Sequence, residues 1–178
     1  MNKNQCDTIL HVLVLILMVS LTALLFIYRD EVRHLGVYGY PGIFIISIIA
    51  NATIIIPLPG ILITTAMGAV FNPLGVALAA GAGSAIGELT GYLAGFGGQV
   101  IVEKKGWYER VMKWMKRYGD ITIFTLSLIP NPLFDLAGMA AGTLKMPVWR
   151  FLLACFLGKF FKMIIFAYFG AKVMAIFN

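Results

Sequence analysis

Two proline pairs interrupt the long apolar stretches of this 178-residue chain. They occur in the segments Pro57-Leu58-Pro59-Gly60 and Pro130-Asn131-Pro132, and each segment lies between two apolar arms that are too short to cross a bilayer alone. Proline lacks the backbone donor that a helix interior requires, and its ring clashes with the preceding turn. Each proline pair therefore predicts a break between two short helices.

The composition places both breaks in an integral membrane protein. Hydrophobic residues make up 60% of the chain and charged residues 12%, whereas a soluble domain has about 25% charged residues. At membrane depth, broken backbone is tolerated only inside protein or beside a water-filled cavity. We therefore interpret both breaks as tips of re-entrant helical hairpins, which enter and leave the membrane on one side. The alternative for the first break is one long, kinked spanning helix.

Residues 9–28 form a further apolar run, long enough to cross a hydrocarbon core of about 30 Å. A cleavable signal segment has a shorter apolar core and ends in small residues, whereas this run ends in Phe26, Ile27 and Tyr28. The sequence thus predicts that residues 1–40 hold a retained N-terminal transmembrane helix and most of a polar connection, residues 29–42, which has a Gly/Pro break. Residues 41–178 would then form an all-α membrane domain.

Residues 99–120 contain most of the polar side chains and predict an amphipathic linker helix. One helical face would hold Trp107, Val111, Trp114, Met115 and Tyr118, and the other Glu109, Arg110, Lys113, Lys116 and Arg117. Basic residues mark the cytoplasmic side, and aromatic anchors are typical of a helix lying in the headgroup plane. We expect anionic headgroups to contact residues 104–117, and we disfavour nucleic acid as a partner.

The two halves of the membrane domain follow one plan. A closing proline, Pro73 or Pro147, starts a long apolar helix in each half, and fifteen residues later that helix carries Glu88 or Lys162. We take residues 43–98 and 121–178 as two repeats. Because the basic linker between them is cytoplasmic, the repeats would run in opposite directions, and inverted repeats place broken helices around a midplane site.

Ionisable residues within the membrane usually mark a pathway or a paired partner. The predicted pathway residues are Glu88, Tyr92, Asn131, Asp135, Lys159 and Lys162. Structural alternatives stay open: Glu88 could neutralise Lys162, Lys159 could extend its ammonium group to the interface, and Asp135 could cap the helix after Pro132.

The enzyme class has little support in the sequence. No Ser/His/Asp or Cys/His set, metal-ligand spacing or glycine-rich phosphate loop is evident, so we expect no catalytic residues, metal or cofactor. Three classes remain: a lipid translocator, a small-ion or proton-coupled transporter, and a non-transporting membrane assembly factor. The sequence leaves open whether the chain forms a homo-oligomer.

The motif around Glu88 resembles that of a known family. Gly87, Glu88, Gly91, Tyr92 and Gly95 are similar to the G-[D/E]-x-x-G-Y-x-x-G motif of the DedA family, which shares the VTT domain. Residues 57–60 resemble the first re-entrant motif of that family, and residues 124–142 resemble the second. The resemblance covers roughly residues 40–170. It implies scrambling or flipping of phospholipids, or translocation of polyprenyl-phosphate carriers, with proton coupling in some members, and it favours a prokaryotic cytoplasmic membrane.

The sequence departs from the bacterial pattern at two places. Asn51, Ala52 and Ile61 stand where acidic residues are common, and Ser127 and Leu133 stand where arginines are common. Without those arginines the site lacks bidentate phosphate ligands. The pattern therefore favours the scramblase-like branch, or a substrate without a strong charge.

Overall fold

The structure is a computed structural model that describes residues 36–52, 60–98, 105–131 and 133–176. Its helices are α1 (Gly36–Ala52), α2 (Gly60–Val70), α3 (Pro73–Gly87), α4 (Leu89–Phe96), α5 (Lys105–Tyr118), α6 (Asp120–Leu128), α7 (Leu133–Thr143) and α8 (Val148–Ile176). No strand occurs in these ranges, so the predicted all-helical class is confirmed for them. The helix predicted at 9–28 and the turn residues Pro57, Pro59 and Pro132 lie outside the described residues.

Among the described residues, two helices are long and apolar enough to cross a membrane. The first joins α3 and α4 into a 24-residue helix, Pro73–Phe96, and the second is the 29-residue α8. Asn72 caps the first helix, because its side-chain oxygen accepts a hydrogen bond from the Leu74 amide at 3.0 Å. The predicted starts at the closing prolines are confirmed, and α8 continues past the expected end near residue 170 to Ile176.

The second predicted break is present between α6 and α7. The chain between α1 and α2 lies outside the described residues, and residues 129–131 between α6 and α7 are not helical. Which side of a bilayer each pair enters from stays a prediction, as does the inverted relation of the halves.

Short and long helices pack in a crossed pattern. In the first half, α1 packs on α3, whereas α2 packs on α8 of the second half. In the second half, α6 packs on α8, whereas α7 packs on α4 of the first half. Each half therefore contributes one short helix to the long helix of the other.

Glycines allow the close approach of these helices. A β-carbon at Gly83 or Gly87 would overlap backbone carbonyl oxygens of α1, and one at Gly95 would overlap the carbonyl oxygen of Met139 on α7. The glycine-lined face predicted for residues 83–95 is confirmed as a close-packing surface. It serves two different helices, α1 at its start and α7 at its end.

Helix α1 begins earlier than the sequence suggests. Residues 36–42 read as part of a polar connection with a Gly/Pro break, but they are helical and Pro41 lies inside the helix. Tertiary packing accounts for this difference, because it contributes more to helix stability than local propensity does. Ile43 is buried, and the ring centroid of Tyr40 lies 5.7 Å from that of Phe71.

Helix α5 is the amphipathic helix predicted from the sequence. Val111 and Met115 are buried against α7 and α6, while Trp107, Trp114 and Tyr118 remain exposed. Part of its apolar face is therefore covered by protein, and the aromatic part is left open.

Candidate functional site

A buried ammonium group, that of Lys159 on α8, lies at the junction of several helices. Lys159 is 3% exposed. Its Nζ lies 2.5 Å from Glu88 Oε1, donates to Asn51 Oδ1 at 2.6 Å, and lies 5.0 Å from the ring centroid of Phe134. Burying a charge is costly unless it is paired and hydrogen-bonded. Here a carboxylate, an amide oxygen and an aromatic face surround the cation.

Asn51 is held in a fixed orientation at the end of α1. Its Nδ2 donates to the Ser47 carbonyl oxygen at 2.8 Å and to Ser84 Oγ at 3.1 Å. Because an ammonium group only donates hydrogen bonds, the amide oxygen of Asn51 must face Lys159. Both ends of the amide are therefore in use.

Glu88 occupies the point where α3 passes into α4. The residue is 6% exposed, and its backbone keeps the long helix continuous through the Glu88 N–Ser84 O and Tyr92 N–Glu88 O hydrogen bonds of 3.1 and 3.2 Å. Next to it, Thr90 Oγ1 donates to the Ala52 carbonyl oxygen at 3.2 Å. The acid is thus fixed against the last turn of α1.

The Lys159 network, which we define as Lys159, Glu88, Asn51, Ser84 and Phe134, includes residues next to both predicted breaks. Asn51 lies in the last turn of α1, directly before the first break, and Phe134 lies in the first turn of α7, directly after the second. The same ammonium group contacts both. The polar centre of the described helices is therefore where the arms of the two breaks converge.

The pairing of Glu88 differs from the one the sequence suggested. Because Glu88 and Lys162 lie equally far from their closing prolines, the sequence suggested that these two residues pair. Glu88 instead forms its salt bridge with Lys159. Gly158 accounts for the difference, because it lies against Phe124 and Ser127 of α6 and so sets the rotation of α8. The alternative that Lys159 reaches the interface is wrong, whereas Lys162, three residues later, is only partly buried.

The hydrogen bonds of Asn131 explain why a polar residue lies between the two prolines of the second break. Its Nδ2 donates to the carbonyl oxygens of Leu126 and Ile129 at 2.9 and 2.7 Å, and its Oδ1 accepts from the Leu133 amide at 2.9 Å. One side chain thus caps the end of α6 and the start of α7. The cap considered for Asp135 is made by Asn131 instead, and Asp135 lies exposed in the first turn of α7.

Tyr92, the remaining predicted pathway residue, is buried. Its hydroxyl donates to the Met146 carbonyl oxygen at 2.5 Å, and its ring centroid lies 5.2 Å from that of Phe151. In this conformation the side chain fixes α4 against the chain that leads into α8. Contact of Tyr92, Asn131, Asp135 or Lys162 with a substrate stays a prediction.

The sequence interpretation missed Asn51, Ser84 and Phe134 as partners of Lys159. A signal for Asn51 exists in a second internal similarity, because Ile43-Phe44-x-x-Ser47-x-Ile49-x-Asn51 recurs as Ile123-Phe124-x-x-Ser127-x-Ile129-x-Asn131. When the two halves are aligned on their prolines, these two segments fall out of register and the similarity is hidden. Packing follows the same register, since Gly83 contacts Phe44 and Ser47 while Gly158 contacts Phe124 and Ser127.

Metal binding has no support in the described residues. They contain no group of three or more His, Cys, Asp or Glu side chains that could hold an ion. Within the same ranges Cys155 is a buried free thiol.

Comparison with known proteins gives a family match and several relatives. The family model of the VTT domain matches residues 58–172. Vacuole membrane protein KMS1 of Arabidopsis thaliana is 33% identical over an alignment of 101 positions, which covers 44% of this chain and 24% of that protein. Vacuole membrane protein 1 homolog of Dictyostelium discoideum is 42% identical over 60 residues, covering 32% of this chain and 15% of that protein.

The human relative covers a shorter part of the chain. Vacuole membrane protein 1 of Homo sapiens is 43% identical over 49 residues, which are 28% of this chain and 12% of that protein. The chain therefore spans less than a quarter of the length of each of these three relatives. No solved structure matches it.

Proposed function

The chain belongs to the VTT-domain family, and we propose that it moves lipids between the two leaflets of a membrane. The cargo would be a phospholipid or a polyprenyl-phosphate carrier lipid, and the protein would act as a scramblase or flippase without enzymatic chemistry. The observation that carries the proposal is the Lys159 network, a buried ion pair among apolar helices that contacts an arm of each predicted break.

A purely structural role would not require this pair. Well-packed apolar residues of similar volume are often as stabilising as a buried ion pair, or more so. Charged residues retained within a membrane domain therefore favour a functional explanation. That the network touches the arms of both breaks supports two re-entrant hairpins meeting tip to tip, and the crossed packing of the halves supports an inverted repeat.

In this mechanism a lipid headgroup crosses between the hairpin tips while its acyl chains stay in the bilayer. Asn131 and Asp135 border the second break, and Lys162 lies partly exposed on α8 near Lys159. In the described conformation Glu88 and Asn51 accept hydrogen bonds from the Lys159 ammonium group. A phosphate passing the tips would replace Glu88 on Lys159, and Glu88 would return to keep the empty site neutral.

The proposed location is an integral membrane position. The DedA resemblance favours a prokaryotic cytoplasmic membrane, whereas the names of the eukaryotic relatives refer to the vacuole membrane. The proposed partners are membrane lipids, with anionic headgroups along residues 104–117. Self-association of the chain is a separate question that the size of the purified protein–detergent particle answers.

A reconstitution assay tests the proposal. The purified chain is placed in liposomes that contain a fluorescent phospholipid or a fluorescent polyprenyl phosphate, and dithionite quenching reports transfer between leaflets. The key variant is Glu88→Gln/Lys159→Met, which removes both charges together and so leaves no unpaired buried charge. We expect it to fold but to lose about tenfold or more in transfer rate, the effect of at least ~1.4 kcal/mol on the barrier.

Arg150→Gln is the matched control, because Arg150 lies on the same helix but pairs with Asp120 in an exposed salt bridge. It should transfer lipid at the wild-type rate. Absence of transfer by the folded wild-type chain with either lipid would refute the proposal. An ion flux in its place would favour the small-ion or proton-coupled transporter, and neither activity would favour the assembly factor.

A further inference from the structure

A groove of about 210 Å³ lies between α5 and α6 and shares no residue with the Lys159 network. Its lining consists of Trp114, Tyr118, Ile121, Thr122, Thr125 and Leu126. Nothing in the proposed transfer mechanism uses this groove, so its occupant is a separate question.

The walls of the groove are fixed by the structure itself. Gly119 separates α5 from α6 with φ of 45°, a left-handed conformation that glycine adopts without steric cost. Beyond it, Thr122 Oγ1 donates to the Trp114 carbonyl oxygen at 3.2 Å and so fixes α6 against α5. The groove is therefore preformed rather than opened by a ligand.

The lining calls for an apolar occupant. Ile121 is 65% exposed, Tyr118 50% and Trp114 43%, while Val111 and Met115 of the same amphipathic helix are already buried in the protein core. A contiguous exposed apolar surface marks an interaction site with protein or membrane. On a helix of this amphipathic type, next to membrane-spanning helices, the adjacent apolar phase is the acyl region of the bilayer.

The rim of the groove carries positive charge. The guanidinium carbon of Arg117 lies 5.2 Å from the ring centroid of Tyr118, a lining residue. Helix α5 has five basic residues and one acidic residue, which favours an anionic partner. Arginine is the side chain best suited to phosphate, because its planar donors can form paired charge-assisted hydrogen bonds.

From these observations we propose that the α5–α6 groove binds one anionic phospholipid, with an acyl chain against Trp114 and Ile121 and its phosphate on Arg117. The site would hold this lipid at the headgroup level as a resident ligand. It does not rest on the proposed transfer function, since a protein without transfer activity could keep the same site.

Arg110 provides a matched control for Arg117. Its guanidinium carbon lies 5.0 Å from the ring centroid of Trp107 on the same helix, so its charge and aromatic contact are alike. Trp107 does not line the groove. A general attraction of α5 to anionic surfaces would involve both arginines, whereas a lipid in the groove would depend on Arg117.

Fluorescence quenching of Trp114 tests the proposal in the full chain. The chain has three tryptophans, so Trp107→Phe and Trp149→Phe leave Trp114 as the reporter. The protein in dodecyl maltoside is titrated with phosphatidylglycerol or phosphatidylcholine brominated in the acyl chain. We expect half-maximal quenching at about tenfold less phosphatidylglycerol, because the choline ammonium of phosphatidylcholine competes with Arg117 for the phosphate.

Two substitutions separate the headgroup from the acyl chain. Arg117→Gln should abolish the preference for phosphatidylglycerol, while Arg110→Gln should keep it. Thr125→Phe places a ring in the groove and should weaken quenching by both lipids. Gel filtration shows whether each variant is folded. The two surface arginine variants decide whether the headgroup is recognised even if Thr125→Phe does not fold.

Three results would overturn the proposal. Equal quenching by the two lipids, or a preference that survives Arg117→Gln, would exclude recognition of a net-anionic headgroup by Arg117. Unchanged quenching in a folded Thr125→Phe variant would exclude the groove as the acyl site. Disulfide cross-linking between two Trp114→Cys chains, with no quenching by lipid in the reporter protein, would show that a second copy covers this face.

Discussion

The pairing of Glu88 with Lys159 predicts a strong energetic coupling between these two residues. Their side chains are 8% and 4% exposed, and the Nζ–Oε1 distance is 2.5 Å. Removing one partner of a buried ion pair costs about 3–5 kcal/mol, because the remaining charge is left unpaired in the interior. We expect Glu88→Gln near the lower end of that range, since glutamine can still accept a hydrogen bond from Lys159.

Lys159→Met should cost at least as much as Glu88→Gln. It leaves the Glu88 carboxylate buried without its partner, and it also takes from Asn51 Oδ1 its only donor in the described network, a loss of about 1–3 kcal/mol for a buried acceptor. In the double variant Glu88→Gln/Lys159→Met no unpaired charge remains. Its total cost should fall to about 1–3 kcal/mol, the loss at Asn51 that remains. The two single effects together should exceed this total by about 3 kcal/mol or more.

Unfolding of the detergent-solubilised chain by sodium dodecyl sulfate, followed by circular dichroism, measures these free energies. Lys162→Met is the control, because Lys162 lies on the same helix three residues away but outside the salt bridge. Combined with Glu88→Gln it should depart from additivity by about 1 kcal/mol or less, because Lys162 acts on Glu88 only through a weaker Coulomb interaction. The pairing of Glu88 with Lys159 would be refuted if Lys162→Met restored the stability of the Glu88→Gln variant while the effects of Glu88→Gln and Lys159→Met were additive.

Three further predictions concern packing and orientation. Gly95→Ala should lower the free energy of unfolding by about 2 kcal/mol or more, because the new methyl group overlaps α7. The control Gly106→Ala lies on an open helix face and should leave this free energy unchanged or raise it by up to about 1 kcal/mol. Equal effects of the two substitutions in the same unfolding assay would contradict this packing. Tyr92→Phe should cost about 1–3 kcal/mol by leaving a buried carbonyl without its donor, and a loss below 0.5 kcal/mol on this scale would show that water replaces the hydroxyl. With α5 flat on the membrane surface, a spin label at Lys113 should be more accessible to a water-soluble relaxation agent and one at Trp114 more accessible to oxygen; equal accessibilities would argue against that orientation.

Much of the local architecture could be predicted from the sequence. The long helices start at Pro73 and Pro147, and the second break falls at Pro130, because proline restricts the backbone in any context. The amphipathic pattern of α5 and the glycine-lined face of the first long helix were also correctly predicted, since both follow from helical periodicity. The family motif around Glu88 correctly indicated the VTT domain.

One local feature was misread because packing overrode the local signal. Pro41 indicated a connection, yet it lies inside α1, where buried Ile43 and the contact of Tyr40 with Phe71 hold the helix in place. Asn131 and Asp135 were both assigned to a pathway. Only the structure shows that Asn131 uses its amide to cap two helices while Asp135 remains exposed.

The sequence by itself determined that an intramembrane acid and two nearby lysines exist, and in which helices they lie. The tertiary structure alone decided that Lys159 pairs with Glu88 and that Asn51 completes its hydrogen bonds. Linear spacing could not distinguish Lys159 from Lys162, because they lie about 60° apart around one helix at 100° per residue. The choice depends on the rotation of α8, which is set where Gly158 meets α6 and Gly170 meets α2, contacts between segments far apart in the chain.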